Sequence, residues 1–169
     1  MEAGISFQEL IHYTDAETRR WREFLEQHPD ALDLEVGIAG AKDIRGLVLH
    51  IFAVELRYAE RLLGAAVTSY EQLPTGSLDE IFSIGGTARQ KIRQYLAQAT
   101  AADLGTVLTF ETRTAGTLSS SKRKIVAHVL LHGIRHWAQI ATALRQRGHK
   151  QDWPHDFIFT DAMECKSKD

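Results

Sequence analysis

Three histidines, His128, His132 and His136, follow one another at intervals of four in KIVAHVLLHGIRHWAQIATALRQRG, the stretch from Lys124 to Gly148. On an α-helix this interval lines successive imidazoles along one face, where two neighbours can share a metal ion through neutral ring nitrogens. His128 and His136 are two turns apart, about 12 Å along the axis, which is too far for all three rings to reach one ion easily. Either adjacent pair fits, and His132 belongs to both. A third imidazole from a facing helix makes three neutral donors and leaves a divalent ion at least one open position, as in catalytic rather than structural sites. Water at that position loses a proton near neutral pH, or the position accepts a thiolate or a carbonyl oxygen. Zn(II) is the default ion, and Ni(II), Mn(II) and Fe(II) also suit an all-imidazole set.

The helix that carries these rings is also a core helix. Val126, Val129, Leu130, Ile134, Trp137, Ile140, Ala141 and Leu144 surround the histidines with apolar rows, so uncoordinated imidazoles there each need a hydrogen-bond partner. One of Ser119, Ser120 and Ser121 caps its start, and Arg145 and Arg147 suit its C-terminal end before Gly148.

Three more helices are predicted upstream. The first runs from Ile5 to Gln27 and stops at His28-Pro29; residues 30–40 then read as a linker. The second runs from Ala41 to Leu63 on the stripe Ile44, Leu47, Val48, Ile51, Phe52 and Leu56, with His50 beside it. Alone, His50 is a histidine at the edge of the core; facing a two-histidine helix, it is the obvious third donor. The capping-box sequence Ser77-Leu78-Asp79-Glu80 opens a third helical region, which either breaks at Gly85-Gly86 or passes through the pair with a kink, reaching about Ala102. From Gly105 to Leu118 the period becomes two and threonine is abundant, which predicts an extended segment or hairpin before the fourth helix. In the tail, residues 149–169, Trp153, Phe157, Ile158 and Phe159 are expected to anchor the chain on the bundle.

Composition narrows the function. With 169 residues, 44% hydrophobic and 25% charged, the chain suits one globular domain, 1–169, with a real core. Its formal charge of -2 gives no global attraction to nucleic acid or an anionic membrane. Without an apolar run near membrane length or a leader-like start, a cytoplasmic protein is expected. The only cysteine, Cys165, reads as an incidental exposed thiol with no positioned base beside it. No H-E-x-x-H, nucleophile elbow or paired Glu-x-x-His pattern supports a zincin, a serine hydrolase or a di-iron site.

The combination of His50 with HVLLHGIRHWAQIATALRQRG, followed by Asp156-Phe157, resembles the DinB-like family of metal-dependent four-helix proteins, which includes thiol-dependent transferases and isomerases. The resemblance covers essentially the whole chain. It implies an all-α four-helix bundle with a long, partly extended crossover before the fourth helix. It also implies metal ligation by His50, His132 and His136, with His128 at a position that is frequently histidine but does not ligate. The family often has Arg-Gly-Gln after its last ligand, where this chain has Trp137-Ala138-Gln139. An anion contact by an arginine there is lost, and Arg135 can supply charge only from another angle.

A metal-dependent enzyme follows, with a thiol-dependent S-transferase as the leading expectation: a low-molecular-weight thiol is the cosubstrate, and its thiolate attacks a small-molecule electrophile. The alternatives are a metal-dependent hydrolase with water as nucleophile and a non-catalytic, metal-binding, stress-associated protein. Gln139, three after His136, would bond substrate or a ligand ring, or is simply a helix-face glutamine. Glu55, five after His50, is off the same-face spacing for a ligand but near enough to be considered as a base. Tyr58 belongs at the pocket rim or the core edge, Trp137 to packing within the bundle or a homodimer, and His12 and His28 to ordinary hydrogen bonding.

Overall fold

The chain is described from a computed structural model covering residues 4–112 and 116–160, so Cys165 lies outside the described residues. It is an all-α four-helix bundle in class, with long helices α1 (Phe7–Gln27), α2 (Ile44–Leu62), α3 (Leu78–Gln98) and α5 (Lys122–Gln146). The short α4 (Ala101–Gly105) and the hairpin of β3 (Val107–Thr112) and β4 (Gly116–Ser121) form the crossover before α5. A second hairpin, β1 (Glu35–Ile38) with β2 (Ala41–Asp43), precedes α2. No described helix is long and apolar enough to cross a membrane. Contacts divide the chain into two units, Met1–His50 with Gly133–Asp169, and Ile51–His132; α2 and α5 each contribute to both.

In the first unit, α1 opens on a reciprocal cap: the Glu9 N–H donates to the Ser6 hydroxyl, and the Ser6 N–H donates to the Glu9 carboxylate. The stretch expected to be a linker is instead a 3-10 turn, Pro29–Asp33, followed by β1. Residues 41–43 are taken into β2, so α2 starts at Ile44 rather than Ala41, and the Asp43 carboxylate accepts the Gly46 N–H at 2.8 Å. The core of this unit centres on Trp21, which stacks on Trp137 at 5.4 Å and on His155 at 5.3 Å. Buried Glu17 accepts from His155 Nδ1 at 3.0 Å, and Tyr13 donates to the His155 carbonyl at 2.6 Å, tying the tail to α1. Two of the four expected tail anchors serve: Trp153 meets Trp21 and Phe24, and Phe157 meets Tyr13. Ile158 and Phe159 are 81% and 60% exposed, because a 3-10 turn of three residues can turn only one of its side chains inward.

In the second unit α3 passes through Gly85-Gly86 without a break. Gly85 is fixed by packing: a Cβ there would fall 2.5 Å from the ring of buried Phe52. Ser77 and Glu80 form the predicted capping box. Arg89, on the buried side of α3, donates to both oxygens of Glu55 at 3.1 and 2.9 Å, with the two side chains 8% and 1% exposed. Lys122 at the start of α5 bonds Asp103, which also accepts from Tyr95. Of the three candidate serines, Ser121 takes the capping role, accepting the Lys124 N–H at 3.3 Å.

Candidate metal centre

His50 is half-buried on α2, flanked by the buried Leu47, Val48 and Ile51. The three histidines of α5 differ sharply in burial. His136 is 1% exposed and His132 8%, whereas His128 is exposed. The helix buries Val126, Val129, Leu130, Trp137, Ile140 and Leu144, and this apolar side takes the last two histidines inward with it. One ring nitrogen from each of His50, His132 and His136 lies within 4.8 Å of the others, a cluster able to hold a metal ion. The His50 and His136 rings meet edge to face at 5.0 Å. His128 is outside the cluster, with its ring 5.5 Å from that of His132 and 5.6 Å from that of Tyr58.

The hydrogen bonds of His136 suit ligation. Gln139 Oε1 lies 2.6 Å from His136 Nδ1; an amide oxygen accepts, so this contact favours the tautomer with the proton on Nδ1 and the lone pair on Nε2. An Arg135 guanidinium N–H donates to that lone pair at 3.1 Å and would have to swing aside for an ion to bind there. Burial, and secondarily the Arg135 charge, pull the His136 pKa below its ordinary value, while Gln139 acts in the opposite direction. Burial thus favours the neutral ring, the form a metal ligand requires. A divalent ion suits this donor set, because it would take lone pairs from neutral rings without burying an uncompensated anion.

The remaining candidates are dispersed. Gln139 bonds the His136 ring. Glu55 is engaged by Arg89, a partner that the sequence signals only as an arginine next to Ala88 in the apolar row Ile81, Ile84, Ala88 and Ile92. Tyr58 packs its ring against His128 and Phe110. Trp137 is a core residue, 2% exposed. His28 bonds the Phe24 carbonyl through Nδ1 at 2.9 Å, and His12 is exposed. Gln139 also lines a groove of about 430 Å³ with Val36, Ile38, Ala138 and Arg147, so its side chain touches both the ligand ring and an open surface.

The model of the DinB family matches residues 2–164. No curated protein matches the chain.

Proposed function

Because the chain belongs to the DinB family, we propose that it is a divalent-metal-dependent enzyme, and specifically a thiol-dependent S-transferase acting on a small electrophile. The observation that carries this reading is the convergence of His50, His132 and His136 nitrogens within 4.8 Å. Three neutral imidazoles leave a divalent ion room for an exogenous ligand. Held by His50, His132 and His136, such an ion would supply Lewis acidity that favours the thiolate form of a thiol at neutral pH.

The chain's own residues prepare that position. Gln139 is placed to hold the His136 proton on Nδ1, which would leave Nε2 as the ligating atom of the ring. Burial keeps the ring neutral. Arg135 places a cation next to Nε2, where it favours an anionic ligand over a neutral one. No described residue is a cysteine, so in this reading the sulfur comes from a cosubstrate. In the transfer, a C–S bond forms as the bond from carbon to the leaving group breaks; the leaving group departs with the electron pair, and the thiol proton passes to solvent. Glu55 is assigned to its ion pair with Arg89 rather than to proton transfer.

The test is to follow loss of free thiol in a mixture of the purified chain, a zinc or nickel salt, a low-molecular-weight thiol and an alkylating electrophile. Metal-dependent thiol consumption that disappears in His136→Ala is expected. Turnover of an ester or amide with water, unaffected by thiol, would assign a hydrolase instead.

A further inference from the structure

In the unit Ile51–His132 a row of rings leads away from His132. The His128 ring is 5.5 Å from it, Tyr58 is 5.6 Å from His128, and Phe110, on β3, is 5.5 Å from Tyr58. Arg61, three residues beyond Tyr58 on α2, lies over the last two rings, with its guanidinium carbon 5.4 Å from Tyr58 and 4.9 Å from Phe110. His128 is exposed, and Tyr58, Phe110 and Arg61 are half-buried, so the row meets solvent.

Among the described residues the cation at the end of this row forms no ion pair, although the Glu60 charge acts on it from a distance. Arg61 donates to two backbone carbonyls, those of Arg57 at 3.2 Å and Glu111 at 3.3 Å. Arg57, one turn earlier, donates to the Thr68 carbonyl and lies over the Tyr70 ring. The carboxylate nearest in sequence, Glu60, is committed elsewhere: its oxygens accept the Thr68 N–H and hydroxyl, each at 2.8 Å. Among the described residues neither guanidinium is paired with a carboxylate. Burial and the like charge of Arg57 both press the Arg61 pKa downward, so an added anion would relieve a cost already present in the fold.

We propose that this row is the substrate subsite of the histidine cluster and that it takes an elongated or flat organic acid. The acid's carboxylate sits on Arg61, its body lies along Tyr58 and His128, and its reacting end reaches His132. A guanidinium matches a carboxylate in bidentate geometry, and the ring edges and faces suit a planar or aliphatic body. Three steps of 5.4 to 5.6 Å separate His132 from the guanidinium and set the greatest useful length of the molecule. The inference rests on the histidine cluster being the reaction centre, but binding of the acid end depends on Arg61 alone.

Calorimetric titration of the full chain with biphenyl-4-carboxylate and with its primary amide tests the subsite, using chelator-treated and zinc-loaded protein. The acid is expected to bind about tenfold more tightly than the amide in both forms. Arg61→Gln should erase that preference while leaving amide binding intact, Arg61→Lys should retain part of it, and the acid should shift the His128 ring resonances. Equal binding of acid and amide to the wild-type chain, or an undiminished preference in Arg61→Gln, overturns the proposal. If Arg61→Gln loses its thermal transition, Tyr58→Leu replaces it: that variant should weaken both probes together, and unchanged binding of both is also fatal. Acid binding that persists in a chain with no thiol turnover would leave the subsite standing and sink only the catalytic reading.

Discussion

Gln139 Oε1 stands 2.6 Å from His136 Nδ1 and fixes on which side of the ring the proton resides. If His136 ligates as proposed, this glutamine one turn past it selects which nitrogen is left to bind. Replacing it by leucine should lower zinc affinity about 10- to 100-fold, the usual cost of losing a partner to a ligating histidine. Gln139→Glu retains an acceptor and should keep most of the affinity. Competition against a chromogenic chelator measures both.

The cluster predicts an uneven response among the α5 histidines. His132→Ala and His136→Ala should each abolish stoichiometric metal, as should His50→Ala, while His128→Ala should retain it. Elemental analysis of the purified variants decides the point. Loss of metal in His128→Ala with retention in His136→Ala would mean that the other adjacent pair ligates.

In the metal-free chain His136 has a pKa below its unfolded value because burial disfavours its cation. The unfolded state then binds more protons between the two pKa values, so stability rises with pH through that window. This contribution is complete above the ordinary histidine value of about 6.5 and is lost as pH falls through the lower folded value. Thermal unfolding of chelator-treated protein from pH 7.5 downward should show this slope, and His136→Gln should flatten it.

Gly85 and Gly86 should part company under mutation. Gly85→Ala drives a methyl into the Phe52 ring and should cost about 1–3 kcal/mol. Gly86→Ala meets nothing within 4 Å and should stabilise α3 by about 1 kcal/mol through helix propensity. Denaturant titrations of the two variants provide the check.

Arg89→Met removes the bidentate donor of the buried Glu55 carboxylate and should cost about 3–5 kcal/mol. The double variant Glu55→Leu with Arg89→Met should recover much of that loss. If Glu55→Leu alone removes thiol turnover at unchanged stability, the carboxylate has a chemical role after all.

What the sequence reveals depends on how local the cause is. The capping box at Ser77 and the threonine-rich alternation between Gly105 and Leu118 are local patterns, and each gives the element it predicts. The β1–β2 hairpin is harder to see because its strands are four and three residues long and its turn puts Ala39 at a positive φ of 54°, which no residue type announces. The need for glycine at position 85 has a tertiary cause, the Phe52 ring, that the local sequence does not contain. The histidines show the same division: their spacing is local, but the contrast between buried His136 and exposed His128 arises only when α5 acquires an inside.

The ring stack around Trp21 gives the chain an optical signature of its own. Trp21 and Trp137 are nearly parallel, 10° between planes at 5.4 Å, and Trp137 directly follows His136 in the chain. Indoles so close couple their excited states, so the folded protein should show a split near-ultraviolet dichroism band that disappears with either tryptophan. A paramagnetic ion held by His136 should quench that pair's fluorescence, allowing metal loading to be followed by light alone.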